Sequence, residues 1–369
     1  TPASPPAAGV QSRFLIQNRT IPRDRVANLR GQIVYAGPDN RLWTVGRDAK
    51  TPRIVLSNPA TGEAPGTLGD LNLAPNGRRL LYSVDADSTT PRPFLLDLDN
   101  ATLSRQKYNG AWAPDNRHIV ASDGTQLVVA NVDDGTVETL GDGSNANWTA
   151  TGDIIAVRQG NIWLIPYPAK NGPARPLTSF PTSGDQVWGF AGRLLYHYSN
   201  HILFVGGARD KLGAQGNGLA LWSLDVASHH LTQLAVPGGN AIRTLALSPS
   251  GTQVAWAEQA HSSACASVGS VGWMRVDGWG KPGGVDLPQA DNNFYVLSGL
   301  TWTPDQWLIY AGRQASCAGP PPPSPGPDKI YLLNPATPNA PQYLVDGSAP
   351  VWMMPLGLGQ PPPGGVTLH

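Results

Sequence analysis

The stretch WAPDNRHIVASDGTQLVVANVDDGT, residues 112–136, reads as three short strands joined by two tight turns. A large residue is followed by a turn of the Pro-Asp/Asn-Gly kind, and an apolar strand resumes six or seven residues on. Pro presets φ at the first central position of a β-turn, and Asn, Asp or Gly accepts the left-handed residue that follows. The phrase is therefore a hairpin. It returns as LAPNGRRLLYS from Leu73, WTATGDIIAV from Trp148, LSPSGTQVAWA from Leu247 and WTPDQWLIYA from Trp302. A sixth copy is irregular: LLYHYSNHILFVGG fits with Tyr196 as its marker residue and DQVWGFAGRLLYHY fits with Trp188, and Tyr196 is preferred because Ile202 then falls at the right offset.

Downstream of each hairpin comes a third apolar strand, such as PFLLDLDN, QLVVANVDDG, NIWLIPYP, LALWSLDV and KIYLLNP, then a turn and a fourth strand. Four antiparallel strands per unit, repeated at this period, describe a propeller blade. The ends fix the count. Residues 32–57 supply strands two to four of a blade that lacks its first strand, and SAPVWMMP near the C-terminus supplies a first strand with no blade after it. Pairing them closes the ring and removes the exposed edges of an open array. The expectation is an all-β, seven-bladed β-propeller closed through Val351, Trp352, Met353 and Met354, with six or eight blades as the alternatives that the irregular copy leaves open. The ring spans residues 29–356, between an extended tail at 1–28 and a Pro/Gly-rich tail at 357–369.

The turn phrases APNG, APDN, SPSG and TPDQ resemble the Ser-Pro-Asp-Gly repeats of the TolB-like, WD-type propeller family over nearly the whole ring. The resemblance implies the propeller fold and, by analogy, a periplasmic or cell-surface binding module or the lid of a peptidase. The sequence is expected to depart from that pattern, with neither room for TolB's small α/β domain nor a hydrolase domain after the ring. Fold carries over here, not activity.

Composition agrees with a turn-rich β chain. Of 369 residues only 14% are charged, while Gly (42) and Pro (36) make up over a fifth. Lys plus Arg equals Asp plus Glu at 26 each, so the basic footprint of a nucleic-acid binder is missing. No apolar run reaches the length of a membrane span. The opening TPASPPAAGV has the look of a chain whose leader peptide has been removed, and export is expected. The two cysteines fit that setting: Cys265 and Cys317 follow corresponding strands of adjacent repeats, and a disulfide between them is expected. In the chain-entropy model it would contribute about 4 kcal/mol.

No catalytic constellation emerges. G-x-S-x-G is absent, and the chain is read as not an enzyme, with no cofactor and no metal. His197 and His201 straddle a hairpin turn without a third ligand and are read, like His229 and His230, as solvent-exposed turn residues. Asp85 and Asp87 lack the rest of a calcium loop, and Asp97, Asp99, Asn100, Asp133 and Asp134 are hairpin formers. Trp112, Trp148, Trp302 and Trp352 recur at the marker, and Trp43, Trp163, Trp222 and Trp273 on third strands, as interlocking blades require. Trp188, Trp279 and Trp307 fall outside the template and are the surface candidates. Asn18, Asn100 and Asn147 head glycosylation sequons.

Function is expected from the tails. RFLIQ in the N-terminal tail is a short apolar strand suited to β-augmentation. Docking on a neighbouring copy would give a head-to-tail contact and, if the rotation does not close, a filament. Phe14, Leu15 and Ile16 at one end and Val366 and Leu368 at the other are the expected anchors of a non-catalytic, extracellular, self-assembling structural protein whose partners are further copies of itself. The alternative is a monomeric cell-surface or periplasmic propeller that recognises a protein, peptide or glycan at one face of the ring. That alternative expects the tail to fold on its own ring.

Overall fold

The computed structural model describes residues 11–16, 18–27, 29, 31–56, 67–85, 91–168, 172–184, 187–197, 199–208, 219–235, 240–262, 265–276, 283–286, 293–316, 327–338 and 341–353. They form seven antiparallel sheets, each with four strands from one repeat or from the paired ends of the chain. Blades are numbered here from the closed one. Blade 1 joins Ser348–Trp352 to Ile33–Ala36, Leu42–Val45 and Arg53–Leu56. Blades 2 to 7 begin with Thr67–Leu73, Ala111–Trp112, Ser144–Trp148, Trp188–His197, Asn240–Leu247 and Asn293–Trp302. Each of these first strands contacts the first strands of the blades on either side, and the contacts run round all seven without a break. They are the inner wall of a ring.

The closure is antiparallel, with Ile33 opposite Trp352, Val34 opposite Val351 and Ala36 opposite Ser348. Main-chain bonds from Met353 N to the Gln32 carbonyl (2.9 Å) and from Gly31 N to the Met353 carbonyl (2.7 Å) extend it. Met354 lies outside the described residues. Tyr196 is the marker of blade 5: it stands opposite Ile202, as Trp148 stands opposite Ile154 and Trp302 opposite Leu308.

The turn phrases fold alike for the reason their residues suggest. Gly77, Asn116, Gly152, Gly251 and Gln306 close them with φ between 61° and 89°, each donating its N–H to the carbonyl three residues back. HYSN at 197–200 does the same through Asn200 (φ 65°) and is the sixth phrase of the set. The residue after the marker is buried in every blade: Ala74, Ala113, Thr149, His197, Ser248 and Thr303, with Met353 in blade 1.

Between each adjacent pair of blades lies one apolar cluster, seven among the described residues. At the seam of blades 2 and 3, for example, Leu81 and Leu95 pack with Trp112, Ile119 and Val128. Alternating strand residues thus bury one face on each neighbour, and burial between blades, rather than within one, is the main apolar stabilisation.

The N-terminal segment lies on its own ring. Gln11–Arg13 pairs with Thr136–Glu138 as a fifth strand of blade 3, and Asn18–Thr20 pairs with Thr102–Ser104 as a fifth strand of blade 2. Phe14 donates its N–H to the Gly135 carbonyl (2.9 Å) and sets its ring edge-on to Tyr108, with centroids 6.4 Å apart. Ile16 is half-buried, whereas Leu15 is 80% exposed. A short helix, Arg23–Val26, then leads into blade 1. Val366 and Leu368 lie outside the described residues, as do Cys317 and the side chain of Cys265.

Candidate ligand site in the axial channel

The inner wall carries its chemistry at one repeating position, three residues before each marker. Round the ring from blade 2 the residues there are Asp70, Asn109, Asn145, Arg193, Thr244, Gly299 and Ala349. Inner strands slip register at or beside this position: between Gly69 and Asn72, Ser144 and Asn147, Ala191 and Leu195, Ile242 and Thr244, and Leu297 and Gly299. Blade 1 slips there too, where Val34 faces Val351 but Ala36 faces Ser348. A bulge leaves a residue unpaired and re-aims its side chain. Asp70 (φ 51°), Asn145 (φ 55°) and Ala349 (φ 47°) adopt left-handed backbone to do so, with Gly192 (φ 65°) beside Arg193. Asp70, Arg193 and Thr244 are exposed although they sit on the innermost strands. Side chains at this position therefore face the channel.

Amide side chains hold the bulges in place. The Asn109 amide donates to the Asp70 carbonyl and to the Ser83 hydroxyl, both at 3.0 Å. Asn72 donates to the Gly110 carbonyl of the next blade. On either side of Arg193, Asn145 donates to the Gly192 carbonyl and Asn147 donates to the Leu194 carbonyl at 2.8 Å. Each bond crosses from one blade to its neighbour, and those to Asp70, Gly192 and Leu194 satisfy carbonyls at or beside a bulge.

A cavity of about 350 Å³ opens against this wall. Asp70, Asn72, Thr244 and Thr301 give it polar groups, and Leu71, Leu300 and Pro350 give it apolar surface. On blade 5, outside that lining, the Arg193 side chain is solvent-accessible within the channel, and the surrounding wall pushes its pKa below the ordinary arginine value. Asp70 opposes that shift through space, with no hydrogen bond between the two. An arginine stays charged under any such shift. Among the described residues the channel position thus presents one cation and one anion, on blades 5 and 2.

The marker tryptophans form the layer behind. Trp112, Trp148 and Trp302 each donate their indole N–H, at 3.0 Å, to the inner strand of the preceding blade, at the Asn72, Ala111 and Ala246 carbonyls. Trp352 is also buried, but its indole nitrogen has no acceptor among the described residues. These four indoles are packing residues, as their recurrence indicated. Trp188 departs from its reading as a surface candidate: it stacks on Phe180 at 4.1 Å and adjoins Phe190, Phe204 and Trp222. Trp307 is half-buried under the Arg47 guanidinium, 4.8 Å from its ring. Trp279 lies outside the described residues.

His197 also departs from its reading, being 2% exposed because it fills the buried turn-opening position of blade 5. Its Nε2–H donates to the Gly251 carbonyl at 2.6 Å, so Nδ1 accepts from the Ser199 hydroxyl at 2.5 Å. His201 donates Nδ1–H to the Ser199 carbonyl at 2.9 Å and turns Nε2 toward Asp225 at 3.5 Å. A serine beside imidazole resembles a nucleophile and its base. The turn, however, uses its main-chain N–H groups internally, Ser199 N to His197 Nδ1 and Asn200 N to the His197 carbonyl, so neither can stabilise an oxyanion. This is a turn-locking network. Asp97 accepts from the N–H groups of Asp99 and Asn100, and Asp134 from Thr136, as hairpin formers do. Among the described residues no three His, Cys, Asp or Glu side chains gather into a metal site, and no helix is long and apolar enough to cross a membrane.

Sequence reasoning missed the channel residues. Asp70 and Arg193 lie in phrases without a motif, and their signal is only that both stand three places before a marker.

No protein-family model matches the chain, and no curated protein matches it in sequence. Among solved structures it is similar to a prolyl endopeptidase, with TM-score 0.55 and 11% identity over 93% of this chain and 50% of that one. It is similar to an oligogalacturonate lyase from Vibrio parahaemolyticus, with TM-score 0.51 and 10% identity over 92% of this chain and 87% of the other. A puromycin hydrolase matches with TM-score 0.50 and 20% identity over 88% of this chain and 53% of that one. The chain spans about half the length of the prolyl endopeptidase and the puromycin hydrolase. At these identities the likeness shows the propeller and nothing finer. It does correct one expectation. Similar propellers belong to enzymes, so the lack of a sequence motif does not make this chain non-catalytic, and that exclusion is withdrawn.

Proposed function

We propose that the chain is a recognition propeller that takes a polar partner at one mouth of its axial channel, with Asp70, Arg193 and Thr244 in the contact set. One observation carries the reading: two opposite charges face the channel on separately pinned backbones without closing on each other. Polar groups placed in a concave site fix ligand orientation. The N-terminal segment favours this reading over self-assembly, since its two strands and Phe14 engage blades 2 and 3 of the same molecule. Kinship with the TolB-like propellers belongs to the same proposal, as does an exported setting in which Cys265 and Cys317 are joined. Peptide mapping without reductant tests the bridge.

The test of recognition is an array experiment. Wild type and the D70N/R193Q double variant are compared on peptide and glycan arrays, with thermal unfolding as the control for folding. Wild type should retain at least one class of probe that the double variant loses. Equal retention by both proteins, or none by either, sinks the reading.

A further inference from the structure

The channel specifies more than polarity. Among the side chains described at the channel position, the charged ones are the Asp70 carboxylate and the Arg193 guanidinium, set on blades 2 and 5. Asp70 lines the cavity directly. Its main chain is fixed through the Asn109 amide at 3.0 Å, and that of Arg193 through Asn145 and Asn147 on either side. Neither backbone can shift toward the other without breaking bonds to a neighbouring blade. The cavity beside Asp70 is lined by Leu71, Leu300 and Pro350 as well as by polar groups, and Arg193 stands on the channel wall outside that lining. At about 350 Å³ it falls at the small end of ligand sites. A purely anionic ligand would meet Asp70, a purely cationic one would meet Arg193, and a neutral one would leave both charges unanswered.

On the basis of the recognition reading, we propose that the channel binds a small zwitterion, a free amino acid or short peptide, with its ammonium group on Asp70 and its carboxylate on Arg193. The apolar residues of the cavity then receive the ligand's side chain. Guanidinium–carboxylate and carboxylate–ammonium contacts are charge-assisted, and each is worth about ten- to a hundredfold in affinity inside a partly water-excluded site.

The probes are the dipeptide Ala-Leu, its N-acetyl form, its C-terminal amide, and free leucine, each titrated calorimetrically into the full chain. Indole N–H signals of the tryptophans, followed by NMR, report whether the channel wall is the place of binding. Ala-Leu should bind, and blocking either end should weaken it at least tenfold. D70N should lose the preference for a free amino end while keeping that for a free carboxylate, and R193Q should do the reverse. Leucine binding as well as Ala-Leu identifies the amino acid as sufficient; Ala-Leu alone identifies the peptide. Blocked forms that bind as well as the free dipeptide, or no binding by any probe at millimolar concentration, overturn the zwitterion assignment. A glycan or a blocked peptide captured on the arrays and lost with D70N/R193Q would leave recognition standing while this assignment falls.

Discussion

Single side chains show where the ring is tight and where it is not. The indole of Trp148 donates to the Ala111 carbonyl across the seam of blades 3 and 4, whereas the indole N–H of Trp352 at the seam of blades 7 and 1 is buried without an acceptor among the described residues. Trp→Phe removes similar volume at both sites, but only at 148 does it also remove a buried hydrogen bond across the seam. W148F should therefore cost about 1–3 kcal/mol more than W352F by chemical denaturation; equal costs would show that the bond contributes nothing. Two histidines should give opposite pH responses. Burial lowers the pKa of His197, so the unfolded chain takes up its proton first and stability falls as pH drops below the unfolded value of 6.5. His118, 2.6 Å from Asp115, has its pKa raised, and its contribution is complete below 6.5 and is lost as pH rises through the raised value. Melting temperatures from pH 5 to 8 should show H197Q removing an acid-side loss and H118Q removing an acid-side gain. Asp115, held down to about 2, does not titrate in that window.

Strands and hairpins here are specified by small residues at close approaches as much as by apolar alternation. Gly110 precedes the inner strand of blade 3, and a Cβ on it would lie 2.2 Å from the Val120 carbonyl oxygen, a main-chain atom that cannot swing away. G110A should destabilise the chain by about 1–3 kcal/mol through overpacking. It should also loosen the bond that Asn72 makes to Gly110, which a drop in hydrogen-exchange protection at blades 2 and 3 would register. A G110A variant as stable as wild type would mean that the inner strand has slack. The hairpin turns were legible in advance because their chemistry is local: Pro, Asn and Gly act through φ and ψ over four residues. The bulges were not legible. Asp70 and Asn145 adopt left-handed backbone because the neighbouring blade offers an amide or a carbonyl at that height, and no residue within their own strand announces it.

For the ring as a whole, the N-terminal segment acts as a strap over two outer edges. Outer strands are unpaired templates for other chains, and a covering strand removes that liability. Deleting residues 1–20 should leave a folded ring that associates more than the full chain does, as measured by light scattering after size-exclusion chromatography. A full chain that polymerises and a truncated one that does not would instead establish tail-driven assembly, with the exposed Leu15 as its natural contact. Ring, blade count, closing strand and interlocking tryptophans all follow from the sequence, because period, turn chemistry and alternation are carried by residues adjacent in the chain. His197 was misplaced on the surface although its turn aligns with five others whose opening residue is buried. Where the N-terminal strands pair on the ring, and which side chains share the channel, only the tertiary structure decided. Asp70 and Arg193 are over a hundred residues apart and acquire a relation only when closure fixes blades 2 and 5 across one axis. The Coulomb field between two charges depends on that distance through space, and sequence separation carries no information about it.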